Sequence, residues 1–243
     1  MMKPIRFVAA SALAAVLSSC SSQSPTPTLP GAPTPVPSPS PAPEPPPPQS
    51  EASATARYRL TFDATWTAAT HPLEAPPNPH FSPLIGATHD DRVTFWQDGS
   101  LASEGIRRMA EQGRTSPLDD EIRTANAAGH AQQLLLGDGI SSPKVYTFEI
   151  AVSREFPRVT LVTMVAPSPD WFVGVSGLPL LENGAWIEDR IIQLGAWDAG
   201  TDSGRTFLSP DQETLPRQPI ARITTAPLGA APLGTFRFTR MGS

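Results

Sequence analysis

The chain has 243 residues, is 39% hydrophobic and 17% charged, and carries a formal net charge of −5 with a single cysteine, Cys20. That balance, with no basic cluster, disfavours nucleic-acid and polybasic-lipid binding. One cysteine leaves the chain no internal disulfide.

Residues 1–19 read as a secretory signal. Lys3 and Arg6 give the basic start, and Phe7 to Leu17 give an apolar core too short to span a bilayer. Leu17-Ser18-Ser19-Cys20 resembles the bacterial lipobox, which makes Cys20 the expected lipidated first residue of the mature protein. Ser21 follows the cysteine. By resemblance to bacterial lipoproteins this favours the outer membrane, with either its periplasmic or its surface face possible. Loss of Lys3 and Arg6 with the signal takes the charge from −5 to about −7.

Residues 20–56 form a proline-rich stalk, with thirteen prolines between Pro25 and Pro48. Such a segment builds no core and lies extended as polyproline II. At ~3.1 Å per residue it reaches on the order of 100 Å.

The folded domain is expected over residues 57–240, one domain of ordinary size. Tyr58 to Trp66 alternates apolar and polar residues and reads as a half-buried strand. Residues 67–91 read as a long loop, and Val93 to Trp96 as a short strand. A helix follows from Ser103 to Gln112, with Ile106, Met109 and Ala110 on one face and Gly113 as its stop. A second helix takes Ser116 as N-cap, Pro117 as its first residue and Asp119 in the capping-box place. Leu118, Ile122 and Ala125 form its apolar stripe. Further strands are expected at 145–152, 158–166, 171–178, 186–195, 219–225 and 234–240. About eight strands with turns between them and a small helical insertion predict a mainly β fold, an antiparallel β-sandwich.

Three aspartates stand beyond strand ends among Gly, Pro and Ser. Asp170 follows the run Val159 to Ala166, and Asp198 and Asp202 follow Ile191 to Trp197. Calcium takes roughly six to eight oxygens from carboxylates, carbonyls and water at flexible geometry. Asp198 and Asp202, four apart in a glycine-containing loop, can converge on one ion, and Asp170 joins them if its loop lies at the same end. Spacing alone also allows these residues to cap turns through Asx hydrogen bonds.

Other constellations are weaker. His71, His80 and His89 suggest zinc by residue type, but even spacing in a loop has no geometric meaning and no i, i+4 pair is present. Asp202-Ser203-Gly204 has the form of an aspartic-protease motif, yet that chemistry needs two such aspartates and there is one copy. Gly174-Val-Ser176-Gly177 is one residue short of a nucleophile elbow. Trp171, Trp186 and Trp197 are candidates for a glycan-stacking face or for ordinary packing.

Long ordered words narrow these readings. They include Thr70-His71-Pro72, Phe81-Ser-Pro-Leu-Ile-Gly-Ala-Thr-His89, Ala102-Ser-Glu-Gly-Ile106, Ala110-Glu-Gln-Gly113, Ala166-Pro-Ser-Pro-Asp-Trp171 and Trp197-Asp-Ala-Gly-Thr-Asp-Ser-Gly204, with Ser209-Pro210 after them. On these words the chain resembles the spondin N-terminal domain family over nearly all of residues 58–225. The resemblance implies a C2-like antiparallel β-sandwich that binds Ca2+ through loop aspartates at one end, here Asp170, Asp198 and Asp202. Matrix members carry cysteines near the place of Leu180–Gly184, and this chain has none, which implies a looser loop there.

The expected function is an envelope-anchored, calcium-binding adhesion module with a protein or glycan partner in the envelope or outside it. The alternatives are a hydrolase working through the acidic loops, of aspartic or metal-dependent type, and a purely structural envelope protein.

Overall fold

A computed structural model describes residues 53–242. The expected signal peptide, Cys20 and most of the stalk lie outside the described residues. In chain order the elements are β1 (Thr55–Ala64), β2 (His80–Phe81), β3 (Ile85–His89), α1 (Glu104–Gln112), α2 (Leu118–Ala127), β4 (Ala131–Leu136), β5 (Ile140–Ser141), β6 (Lys144–Ser153), β7 (Arg158–Ala166), β8 (Trp171–Pro179), β9 (Leu181–Glu182), β10 (Ala185–Trp186), β11 (Asp189–Leu194), β12 (Trp197–Asp198), β13 (Ala221–Arg222) and β14 (Gly234–Arg240).

Two large antiparallel sheets face each other, and β9 and β10 pair as a small third. The first has the order β11-β14-β1-β6, and β1 is paired along its length. Its alternation is the one the sequence predicts: Ala56, Tyr58, Leu60, Phe62 and Ala64 point inward while the residues between them face out. Phe62 stands opposite Phe236 in the register, and their rings meet edge-on at 5.0 Å. Phe62 makes a second such contact with Phe81 from the other sheet. Each fully buried aromatic of this kind contributes roughly 1.5–3 kcal/mol by removal from water.

The second sheet runs β13-β12-β8-β7, with β3 and β4 beyond β7 on one part of its length and β2 and β5 on another. Its central strand β7 is buried on both faces. Val159, Leu161 and Val165 join the core between the sheets, while Val162, Met164 and Ala166 join a second cluster beneath α1 and α2. This explains why β7 reads as a continuous apolar run rather than an alternation.

The helices seal that outer face. Ile106, Met109 and Ala110 of α1, and Leu118, Ile122 and Ala125 of α2, are buried as expected. Ser103 caps α1 by accepting the Ile106 N–H at 3.1 Å, and Gly113 ends it in the left-handed region at φ +64°. The start of α2 differs from expectation. Pro117, not Ser116, is the N-cap, and no side chain caps the helix. Glu121, in its first turn, instead reaches to the start of α1, accepting from Gly105 N–H and Ser103 Oγ at 2.7 Å each.

Four further differences bear on strands. Val93–Trp96 forms no strand; Phe95 and Trp96 are buried without a ladder, Phe95 against His89 and Trp96 against Phe172 and Trp197. The segment read as a loop over 67–91 contains β2 and β3, and β4 was not expected. The expected strand 219–225 shrinks to the two residues of β13. No helix among the described residues is long and apolar enough to cross a membrane.

Candidate metal centre

The end of the sandwich where β7 turns into β8 gathers the aspartates. Asp170 immediately precedes β8. The short strand β12 pairs with β8 so that Asp198 stands opposite Trp171, one residue from Asp170. Gly200 then turns the chain at φ +74°, a conformation that side chains rarely adopt. The turn brings the backbone of residues 201 and 202 over the Asp170 carboxylate.

The result is an asymmetric carboxylate. Asp170 has no exposed surface. Its Oδ2 accepts the Thr201 N–H at 2.7 Å, the Asp202 N–H at 3.0 Å and the Thr201 hydroxyl at 3.2 Å. Its Oδ1 is buried and accepts nothing. Burial, and after it the charge of Asp198, push the carboxyl up to about 7, against the pull of the Thr201 and Asp202 N–H donors.

Asp198 spends one oxygen on its own turn, Oδ1 accepting the Gly200 N–H at 2.7 Å. Burial raises its pKa, with the charge of Asp202 adding to the rise and the Gly200 bond opposing it. Asp202 is fully engaged with backbone. Oδ1 accepts the Gly204 N–H at 2.7 Å, and Oδ2 accepts the Gln212 N–H at 2.8 Å. The turn-capping reading holds for Asp198 and Asp202, each of which accepts an N–H two residues on; Asp170 instead holds the backbone of a different loop.

Backbone N–H groups reach both oxygens of Asp202 and one oxygen each of Asp198 and Asp170. Among the described residues no group of three or more His, Cys, Asp or Glu side chains stands in position to hold a metal ion. The feature that fits a hard cation is instead the pair Asp170 and Asp198. An unpartnered buried carboxylate oxygen beside a second carboxylate, both resisting ionisation, is an arrangement that an added positive charge relieves. Asp170 Oδ1 and Asp198 Oδ2 are the side-chain oxygens free of protein donors there; carbonyls and water would supply the rest of a calcium shell.

The other constellations disperse. His71 bonds Thr70 Oγ1, His80 bonds the Asn78 carbonyl and His89 bonds the Asp90 carbonyl and Thr160 Oγ1, so each histidine belongs to a different hydrogen-bond set. Ser176 donates to the Trp96 carbonyl, and both ring nitrogens of the nearby His89 are taken by Asp90 and Thr160. Trp171 and Trp186 are buried, the latter donating from Nε1 to the Ser53 carbonyl, while Trp197 is half-buried against Trp96. No stacking face results.

Sequence reasoning did not single out Thr201, whose N–H and hydroxyl hold Asp170, or Arg222, whose guanidinium carbon lies 5.1 Å from the centre of the Trp197 ring. The signal for Thr201 is its place after Gly200, where the turn delivers it. Arg222 lies in a short strand with no periodicity to mark it.

A family profile described as Spondin_N matches residues 56–232. The chain is 35% identical over 194 residues to Spondin-2 of Homo sapiens, covering 76% of this chain and 57% of that protein. It is 34% identical over 197 residues to Spondin-2 of Rattus norvegicus, covering 77% and 58%. Against Spondin-1 of Gallus gallus the identity is 36% over 181 residues, covering 70% and 22%. The chain thus spans a little over half the length of the Spondin-2 proteins it matches and about a fifth of Spondin-1.

Proposed function

The chain belongs to the spondin N-terminal family, and from that premise we propose that it is a calcium-ordered binding module of the bacterial envelope. In this reading a lipid on Cys20 anchors it, probing outward on the proline-rich stalk, and the loop end bearing Asp170, Asp198 and Asp202 faces a protein or glycan partner. It is read as an adhesive module without catalytic activity of its own.

The observation that carries the reading is the Asp170 carboxylate, fixed on one side by three donors and left bare and buried on the other. A buried polar oxygen without a partner costs about 1–3 kcal/mol, more when charged. Calcium bound there would neutralise the Asp170–Asp198 pair and lock the turn at Gly200 against β8. Asp170 and Asp198 would be side-chain ligands. Asp202, whose oxygens both accept backbone N–H, would shape the loop and add its charge.

The test is a thermal melt of the chain from residue 20 onward, carrying Cys20→Ser, in calcium, in magnesium and in chelator. Calcium raises the melting temperature more than magnesium does, and Asp198→Asn with Asp202→Asn removes the rise. A wild-type melt that does not respond to calcium would sink the reading.

A further inference from the structure

Beside the aspartates lies a groove of about 710 Å3, walled by residues of the 198–205 loop and by β13 with the residues around it. Its charged lining consists of two carboxylates, Asp198 and Asp202, and two guanidiniums, Arg205 and Arg222. Among the described residues neither guanidinium is ion-paired. Elsewhere arginines find carboxylates: Arg123 reaches Asp119 at 2.8 Å, Arg190 reaches Glu182 at 2.9 Å and Arg237 reaches Asp189 at 2.8 Å.

Arg222 is also seated. Trp197 lies opposite it in the β12–β13 register and supplies a ring to one side of the guanidinium. The guanidinium also lies over Gly195: a Cβ there would stand 1.7 Å from Arg222 Nη2. A platform and a gap hold the fork in place, which removes part of the ordering cost a free arginine meets when it takes a ligand.

β13 is the last strand of its sheet; its outer edge is taken at Ile220, whose N–H donates to the Ser100 carbonyl and whose carbonyl accepts the Gly99 N–H, and among the described residues it lies open from Arg222 onward. Ala221, Arg222, Ile223 and Thr224 all line the groove. An open edge offers backbone N–H and C=O groups in the pattern an added strand uses.

We propose that an extended acidic segment of a partner protein lies in this groove along the edge of β13, with an Asp or Glu carboxylate seated on Arg222. The inference rests on the calcium reading above. The four lining side chains sum to about zero charge, so without a cation the groove has no net charge to draw in a carboxylate. A divalent cation on the acidic side leaves the groove at about +2, and the planar carboxylate then meets a fork of matching geometry. An acidic sugar would present the same carboxylate but would make no use of the strand edge.

The test uses the 15N-labelled chain from residue 20 with Cys20→Ser, titrated with the capped pentapeptide Val-Thr-Asp-Thr-Val in calcium and in chelator. Binding in calcium shifts the Trp197 indole and the amides of residues 221–224, and is weakened about tenfold in chelator, in the Asn version of the peptide, and in Arg222→Gln. Gly195→Ala gives a similar loss, because its methyl would overlap the guanidinium and push the fork from its seat. Calcium melts of the same variants separate the two ideas. A calcium shift in the melt with equal peptide binding by wild type and Arg222→Gln, or with no peptide binding, overturns this inference and leaves the calcium reading standing. An absent calcium shift overturns the reading itself. Shifts at Arg222 with N-acetylneuraminate but none with the peptide overturn the choice of a protein segment.

Discussion

The carboxylate of Asp170 and the backbone of Thr201, 31 residues apart, meet at 2.7 Å, and one carboxylate oxygen takes this N–H together with the Thr201 hydroxyl and the Asp202 N–H. The contact pins the loop after β12 onto the start of β8. It also consumes all the donors available to Asp170 on that side and leaves the buried Oδ1 bare.

That asymmetry sets the sign of the first prediction. The folded chain raises the Asp170 pKa from 3.8 to about 7. The folded state therefore holds the proton more tightly than the unfolded state, and the stabilisation present below about pH 4 fades as pH rises towards 7. Asp170→Asn carries no charge to lose. In chelator at about pH 8 the variant melts higher than wild type, by on the order of 2–4 °C for each ~1 kcal/mol relieved, and the gap closes near pH 5. In calcium the order reverses, since wild type gains from the ion and the variant does not. Calorimetry at the two pH values, with and without calcium, reads all four states. A variant less stable than wild type in chelator at the higher pH would contradict the account.

The second prediction concerns the helices. Glu121 accepts from Ser103 Oγ and Gly105 N–H at 2.7 Å each, joining α2 to the N-terminus of α1. Hydrogen bonds to a charged acceptor are worth about 1.5–3 kcal/mol. Glu121→Ala costs about 2 kcal/mol and lowers the melting temperature by roughly 4–8 °C. Glu121→Gln keeps one acceptor and loses about half as much. Denaturant melts check the pair; equal losses in the two variants would show that the second oxygen contributes nothing.

Much of this fold was legible where one physical signal dominated. β1 alternates because one face meets the core and the other does not, and α1 announces itself through Ser103, its apolar face and Gly113. β3 was not legible. Ile85-Gly-Ala-Thr-His89 is buried at every position, so it shows no alternation, and it lies next to Pro83 in a stretch rich in Pro and His. Gly86 is small there because a Cβ would stand 1.9 Å from the Thr160 carbonyl oxygen across the β3–β7 pair, a requirement that only the partner strand reveals. Val93–Trp96 misled in the opposite direction: Phe95 and Trp96 are apolar because their rings pack on His89, Phe172 and Trp197. At the candidate site the family words located the aspartates, but their division of labour depends on the turn at Gly200, which sends Asp202 to the backbone and leaves Asp170 Oδ1 bare.

The third prediction tests the anchor. Cys20 is the only cysteine in the chain, and it ends Leu17-Ser18-Ser19. Labelled palmitate fed to a bacterial host enters the wild-type protein and not Cys20→Ala, which leaves the membrane fraction. Label retained by the variant would place the acyl chain elsewhere.

The last prediction concerns acid, and it runs against the first. His89 is buried between β3 and β7, with Nδ1 2.6 Å from the Asp90 carbonyl and Nε2 2.8 Å from Thr160 Oγ1. The Asp90 carbonyl can only accept, so Nδ1 carries the hydrogen and the bare Nε2 accepts the Thr160 hydroxyl. That hydroxyl oxygen in turn accepts the Gly177 N–H at 2.9 Å, which ties β8 to β7 where their register shifts. Protonation of Nε2 would reverse one bond of this chain. Burial holds the imidazole below its ordinary 6.5; the carbonyl bond to Asp90 opposes this, and the charge of Arg158 reinforces it. The unfolded state then binds the proton more tightly. The stabilisation from the neutral ring is complete above about pH 6.5 and is lost as pH falls from there through the folded value. His89→Gln keeps a donor and an acceptor but cannot titrate. It lowers stability at neutral pH through poorer packing against Phe95, yet flattens the dependence of unfolding free energy on pH between about 7 and 5. Asp170 contributes the opposite slope in the same window when calcium is absent, so the comparison belongs in the Asp170→Asn background. Urea melts across that range give the slope directly, and a slope unchanged by His89→Gln would remove the buried imidazole as its source.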